Sequence, residues 1–223
     1  GTLFSERKIN RKNHLFCNLS SWIVRPEYRN ESLNLLFPLL GRKGLTITNF
    51  TASNRVSDVL IKLGFNDLEK NFRIILPLPV PGSGVKIVDD LSVIHKQLDA
   101  VDQRILDDHS TLHCVHVLFT YNQAQCYLVL NHAVKKGRPV FFVNYLSDLE
   151  FFITHYQALA HQLCRKYHLS GIMVGDHTLK NHDLPLTLNI PRKHSLLFHS
   201  KDVKAEEIDT LYSEIQVLGL KPV

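Results

Sequence analysis

The sequence predicts an α/β fold, and three observations predict it. Between His14 and Leu76 the apolar pattern alternates between short continuous runs and helical spacing, in the order strand, helix, strand, helix, strand. The breaks between these segments are short and fall at Pro26, Gly41, Gly44 and Gly64. Beyond the Pro77–Gly84 segment a second series of strands and helices begins, and no residue-level repeat relates it to the first.

The first strand is expected from His14 to Val24, where Phe16, Cys17, Leu19, Trp22, Ile23 and Val24 precede Arg25 and Pro26. A helix follows over Glu31–Leu40, with Leu33, Leu36, Phe37 and Leu40 on one face and Pro38 bending its last turn. Leu45–Thr48 reads as a second strand. Ser53 is placed to cap a helix carrying Val56, Val59, Leu60 and Leu63, which Gly64 ends. Phe72–Leu76 is the third strand, and right-handed crossovers would set these strands in one sheet. In the second series, an acidic amphipathic stretch runs to about Asp108. Strands are then expected at Leu112–Thr120 and Gln125–Leu130, joined as a hairpin at Tyr121 and Asn122. Val140–Leu146 is a strongly apolar strand, Asp148–Tyr167 a helix, Gly171–Val174 and Ser195–Phe198 strands, and Ala205–Leu218 a final amphipathic helix. Gly1–Ser5 reads as the middle or end of a further strand.

With 223 residues and 44% hydrophobic content, the chain can bury an ordinary core as one large or two small domains. Its 26 Lys and Arg against 21 Asp and Glu, a formal +5, suit an anionic ligand. Only Arg7, Lys8, Arg11 and Lys12 cluster, and they read as a solvated turn; without long basic runs or interleaved aromatics, nucleic acid is not the expected partner. Cys17, Cys114, Cys126 and Cys164 lie far apart in apolar segments, which points to core thiols and a reducing compartment. No apolar run reaches about 18 residues and no signal-peptide pattern is present, so no membrane partner is expected and the cytoplasm is the default location. Asp107, Asp108, His109 and His113 read as a helix cap and solvated turn. Neither His155 with His161 nor His113 with His116 shares a face as metal ligands would.

The informative segment runs from Trp22 to Leu36. A strand that turns into a helix presents unpaired N–H groups and a partial positive charge to a phosphate. Val24-Arg25-Pro26-Glu27-Tyr28-Arg29, followed by a helix start, resembles motif A of the GNAT superfamily of acyl-CoA N-acyltransferases. The family signature, Gln/Arg-x-x-Gly-x-Gly/Ala, falls on Arg29, Ser32 and Asn34, so larger residues stand at the glycine positions. Asn54 through Leu63-Gly64-Phe65 resembles the family's motif B.

This resemblance implies a GNAT-like mixed sheet with flanking helices and an acyl-CoA, such as acetyl-CoA, as co-substrate. Backbone groups at Trp22, Ile23 and Val24 would pair with the pantetheine arm. Amides of Arg29, Asn30, Glu31, Ser32, Leu33 and Asn34 would take the pyrophosphate, with Asn54 opening the motif B helix. The acceptor, an amine or hydroxyl of unknown identity, would attack the thioester directly in a ternary complex, its carbonyl polarised by a strand N–H. Leu60 stands where many members carry a tyrosine that protonates the leaving thiolate. Asn18, Ser20 and Ser21 lie beside the expected centre, but none is a base at neutral pH, so the catalytic residues are unknown. The lost glycines, the missing tyrosine and the absent base also fit a non-catalytic domain that binds acyl-CoA or a protein. The expected organisation is a GNAT-like acyl-CoA-binding half over residues 1–76, lacking its amino-terminal elements, and a linker over 77–88. A second, smaller α/β half, a degenerate GNAT-like unit, would occupy 89–223.

Overall fold

The computed structural model describes residues 1–80 and 82–220; Pro81 of the expected linker and residues 221–223 of the second half lie outside the described residues. Strands β1 (Thr2–Ile9) and β2 (Lys12–Leu19) form a hairpin that turns at Asn10 and Arg11, both at positive φ. A 3-10 helix (Pro26–Leu35) and a single α-turn, α1 (Phe37–Leu40), lead to β3 (Leu45–Asn49), α2 (Asn54–Lys62) and β4 (Asn66–Ile75). The second series comprises β5 (Lys86–Val88), α3 (Leu91–Gln97), α4 (Ala100–His109), β6 (Val115–Tyr121), β7 (Ala124–Lys135) and β8 (Arg138–Leu146). It continues through α5 (Leu149–Tyr167), β9 (Ile172–Gly175), β10 (Thr187–His199), a short 3-10 helix (Ala205–Glu207) and α6 (Glu214–Val217).

All ten strands of the described residues join one mixed sheet in the order β1-β2-β3-β10-β4-β9-β8-β7-β6-β5, the mixed α/β architecture that the sequence predicts. Two neighbouring pairs are parallel, β2 with β3 and β8 with β9, and each is joined by a helical crossover. The remaining pairs are antiparallel. Because β10 lies between β3 and β4, the last strand of the chain completes the sheet of its first half.

Strand alternation sorts the core onto two faces. In the first half, Cys17, Leu45 and Ile47 pack with Leu60 and Phe65 of the α2 region, while Phe16 and Phe50 pack with Val203, Ile208 and Ile215 of the carboxy-terminal segment. In the second half, α5 covers Phe119, Leu128, Phe141 and Val174; α3 and α4, with Leu211, cover Leu118, Tyr127 and Val129. No helix among the described residues is long and apolar enough to cross a membrane.

Several sequence expectations are corrected. The first strand ends at Leu19, not Val24: Ser20 bonds back to the Gly1 carbonyl and Ser21 takes a φ of 50°, so Trp22, Ile23 and Val24 lie in an irregular segment. The helix expected over Glu31–Leu40 is a 3-10 helix that begins at Pro26 and a separate turn from Phe37. Pro38 would clash with the Asn34 carbonyl in a continuous α-helix, and Phe37, read as core, is half exposed. The helix expected over Ala205–Leu218 is mostly irregular. Ile208, Leu211 and Ile215 are all buried, yet Ile208 is extended and Tyr212 has a φ of 57°, so tertiary burial overrides the helical period. Arg7 is not solvated: its guanidinium pairs with Asp209 at 2.6 Å, donates to the Leu211 carbonyl and lies 4.2 Å from the centre of the Phe16 ring. His109, read as part of a solvated turn, is fully buried against the edge of Tyr212.

Candidate functional site

β2 and β3 run parallel and pair only from Leu15 with Leu45 to Asn18 with Thr48. Beyond that point β2 turns away at Ser20 and Ser21, and β3 leads into the Phe50–Ser53 connection and α2. The strands separate into a wedge. A helical start follows each strand end: Arg25 precedes the 3-10 helix and Ser53 precedes α2, and neither makes a side-chain cap. Pro26 opens the 3-10 helix without an N–H and the Tyr28 N–H is bonded to the Arg25 carbonyl, so the Glu27 N–H is the free donor of that first turn, whereas the first N–H groups of α2 have no side-chain cap.

The carboxy-terminal segment crosses this wedge. Alternation turns Asn18 and Thr48 to the same face, where the Asn18 amide donates to the Thr48 hydroxyl at 3.2 Å. The Asn18 carbonyl oxygen accepts the Glu214 backbone N–H at 3.2 Å, and the Thr51 hydroxyl donates to Glu214 Oε1 at 2.7 Å. Glu214 is fully buried, and its Oε2 has no hydrogen-bond partner. Burial pushes its carboxyl up from the ordinary range, against the hydrogen bond from Thr51 and those from its own backbone N–H and Asn18.

What holds Glu214 there belongs to the second half. Ser213 and Gln216 form a reciprocal capping box that starts α6, and the Gln216 amide donates to Asn144 Oδ1 at 2.9 Å. Thr210 donates to the same oxygen at 3.2 Å, and the Asn144 amide donates to Asn131. Asn144 can turn inward because it is the extra residue of a β-bulge: Val129 pairs with Tyr145, but Leu130 pairs with Val143. Replacement by alanine, Asn144→Ala, leaves Gln216 and Asn131 unsatisfied in a buried network. A loss of about 2–3 kcal/mol is expected, measured by urea unfolding.

The residues proposed from sequence are only partly brought together. Trp22 is half-buried and lines a cavity of about 70 Å³ with Leu19, Ser20, Leu35 and Leu36; its indole N–H has no partner. Val24 is half-buried, whereas Ile23 is 84% exposed. On the 3-10 helix, Ser32 and Leu33 are half-buried, and Arg29, Asn30, Glu31 and Asn34 are exposed. Asn54 begins α2, across the wedge, where its side-chain oxygen meets His194 Nδ1 at 2.7 Å. Leu60 is fully buried in the core beneath α2. Sequence reading missed Glu214, although Ser213-x-x-Gln216 carries the spacing of a capping box and marks a helix start in the middle of the expected helix.

A second wedge opens where β8 and β9 part after Phe142 and Met173. It contains a cavity of about 260 Å³ between Asn144–Ser147, His177, Lys180 and the Glu206–Asp209 segment. Here the helix start is already occupied, since the Asp148 carboxylate accepts the Phe151 N–H at 2.8 Å and Glu150 lies in the same turn. The cavity itself carries Glu206, Glu207 and Asp209 against Lys180 and His177. The four cysteines offer no nucleophile: all are free thiols, and burial pushes Cys17 and Cys164 up to about 11 and Cys114 and Cys126 to about 12.

The chain is similar to a GCN5-related N-acetyltransferase from Anabaena variabilis, with a TM-score of 0.53 at 10% identity over 88% of this chain and 58% of that one. A conserved protein of unknown function from Enterococcus faecalis V583 matches with a TM-score of 0.49 at 15% identity, over 92% of this chain and 59% of that one. A GCN5-related N-acetyltransferase from Kribbella flavida matches with a TM-score of 0.45 at 13% identity, over 86% and 54%. The first likeness shows the fold: a GNAT-like mixed sheet with flanking helices. This chain spans less than two thirds of the length of each of these structures. No protein-family model and no curated protein sequence matches it.

Proposed function

We propose that the wedge between β2 and β3 binds an acyl-CoA and that the protein transfers its acyl group to an acceptor amine or hydroxyl. The observation that carries this reading is the parallel pair that parts after Asn18 and Thr48 with an uncapped helical start following each strand end. A pyrophosphate needs several N–H donors at once; the first turn of α2 offers them, and the 3-10 helix adds the Glu27 N–H. The pantetheine arm would run along the irregular Ser20–Val24 backbone, whose groups β3 no longer pairs. The pyrophosphate would lie against the first turns of the 3-10 helix that carries Arg29 to Asn34, with Asn54 closing the far side. Charge favours this wedge over the second one, where Asp148 and Glu150 already fill the helix start. In this reading residues 1–76 are the acyl-CoA-binding half. Residues 89–223 are a second GNAT-like half whose own wedge has lost its anion site.

Ser32 is half-buried on the 3-10 helix, at a position where the family carries a residue without bulk. Wild-type protein is expected to bind acetyl-CoA at micromolar levels, and Ser32→Trp to weaken binding by at least about 100-fold, or about 2.7 kcal/mol. Calorimetric titration of both proteins, with circular dichroism to verify folding, checks this; no heat from wild type with acetyl-CoA or a longer acyl-CoA removes the reading. The buried Leu60, which cannot protonate a thiolate, favours one alternative, a domain that binds acyl-CoA without turnover. Binding without thiol release would select it.

A further inference from the structure

We propose that His109 and Tyr212 form an acid-sensitive latch, which holds the segment from Asp209 to Gln216 across the two halves at neutral pH and loosens it as the imidazole takes a proton. The inference does not depend on the acyl-transfer reading above. It starts from the ring itself, which is fully buried at the end of α4. Nδ1 lies 2.8 Å from the Ile105 carbonyl, which can only accept, so Nδ1 carries the proton. Nε2 accepts the Tyr212 backbone N–H at 3.3 Å, so Nε2 is bare. Only a neutral ring in this one tautomer satisfies both bonds.

Tyr212 is gripped on three sides. Besides its N–H, its ring stands edge-on to the imidazole with the ring centres 4.4 Å apart, and its hydroxyl donates to Asp108 Oδ2 at 2.7 Å. The grip matters because a φ of 57° is a strained conformation for a bulky residue, which surrounding contacts must maintain. What the latch holds is a bridge between the halves. Asp209 pairs with Arg7 of β1, and Glu214 is bonded to Asn18 of β2 and to Thr51.

A proton on Nε2 removes the acceptor of the Tyr212 N–H and leaves two donors facing each other. It also places a buried cation beside Arg7, whose guanidinium lies 5.4 Å from the centre of the Tyr212 ring. The charged groups that face the imidazole are Arg7 from β1, Asp108 from α4 and Asp209 from the latched segment. From β6 comes His116, whose Nε2 donates to the His109 carbonyl at 3.4 Å and whose Nδ1 accepts from the Tyr127 hydroxyl at 2.7 Å. Burial pushes His109 below the ordinary imidazole range, against the Ile105 bond and the two aspartates, and Arg7 adds to the fall. Burial pushes His116 down to about 4, so it stays neutral where His109 responds.

The latched ring therefore binds its proton less readily than the released one. Latching is at full strength above the released value of about 6.5 and weakens as pH falls below it. Glu214, on the same segment, titrates in the opposite sense, because burial raises its carboxyl. Glu214→Gln therefore serves as the reference protein, in which that opposing titration is absent.

The test is amide hydrogen exchange of the full chain between about pH 8 and 5, a range in which ordinary aspartates stay charged. Protection of Leu211, Tyr212 and Ser213, corrected for intrinsic exchange, is expected to fall at least about fivefold; about 30-fold is the ceiling for a ring that stays neutral while latched. Amides of β7 and β8 should keep their protection. Adding His109→Gln should make the segment's protection flat across the same range. The imidazole nitrogen NMR spectrum of the reference protein needs no further variant, and it should show His109 as the neutral Nδ1–H tautomer at neutral pH. Protection of the segment that does not change with pH, a fall that β7 and β8 share, a fall that survives in His109→Gln, or a ring protonated on Nε2 at neutral pH each overturns the latch.

Discussion

Glu69→Gln is expected to destabilise the folded chain by about 3–5 kcal/mol, a fall in melting temperature of roughly 10 °C. Glu69 on β4 and Arg192 on β10 form an ion pair whose side chains are 2% and 1% exposed. Arg192 reaches it because the β10 register slips between Pro191 and Leu196, and this irregularity lets the guanidinium turn inward. The rings of Phe72 and Phe142 lie 5.5 and 5.3 Å from its central carbon, so little water replaces a lost partner. Burial pushes the Glu69 carboxyl up against the opposing pull of Arg192. Removing one partner therefore strands the other. Replacing both with apolar residues, Glu69→Leu with Arg192→Met, is expected to be near neutral or stabilising by about 1–4 kcal/mol, because both desolvation costs vanish together. Thermal unfolding of the single and double variants checks the pair; equal losses in both would show that packing, not charge, sets the effect.

Gly175→Ala is expected to cost about 3 kcal/mol for a connected reason. A Cβ at Gly175, the last residue of β9, would stand 1.5 Å from Glu69 Oε2 and 2.3 Å from its Cδ. The carboxylate cannot swing aside without leaving Arg192, so the methyl group breaks the ion pair as well as crowding the core. The two changes act on one element and should not add. In a Glu69→Ala background the space is vacant, and Gly175→Ala should then cost less than about 1 kcal/mol. A double-mutant cycle by urea unfolding measures the coupling, and additive losses would mean that the glycine is needed for some reason other than this carboxylate.

Glu69 and Glu214 show why burial alone does not predict the effect of removing a charge. Burial raises the titration of both. Glu69 has a cation that depends on it, so its loss destabilises, whereas Glu214 has only Thr51, Asn18 and backbone groups, so its neutralisation relieves a cost.

How much of this was readable from the residues depends on the range of the interactions. Local signals placed β3, α2 and its Gly64 terminus, the β6–β7 hairpin and α5, because apolar period and turn residues act within a few positions. The same signals failed between Trp22 and Leu36 and between Ala205 and Leu218. In the first stretch the Ser20 bond to Gly1 and the constraint at Pro38 prevail over propensity; in the second, Ile208, Leu211 and Ile215 are buried by strands far away in sequence. Glycine spacing and apolar runs could not show that β10 enters the sheet between β3 and β4, since pairing across more than a hundred residues leaves no local trace. Likewise the sequence pointed to the region after β2 and β3 through Val24–Arg29 and the Asn54–Phe65 segment, yet it gave no sign that Glu214 is buried there, because Glu214 is more than 160 residues from Thr51. The local composition determined an α/β chain. Folding alone decided which carboxylate is buried at the end of the β2–β3 pair, because the Asn144 bulge and the Ser213–Gln216 cap fix Glu214 beside Asn18 and Thr51.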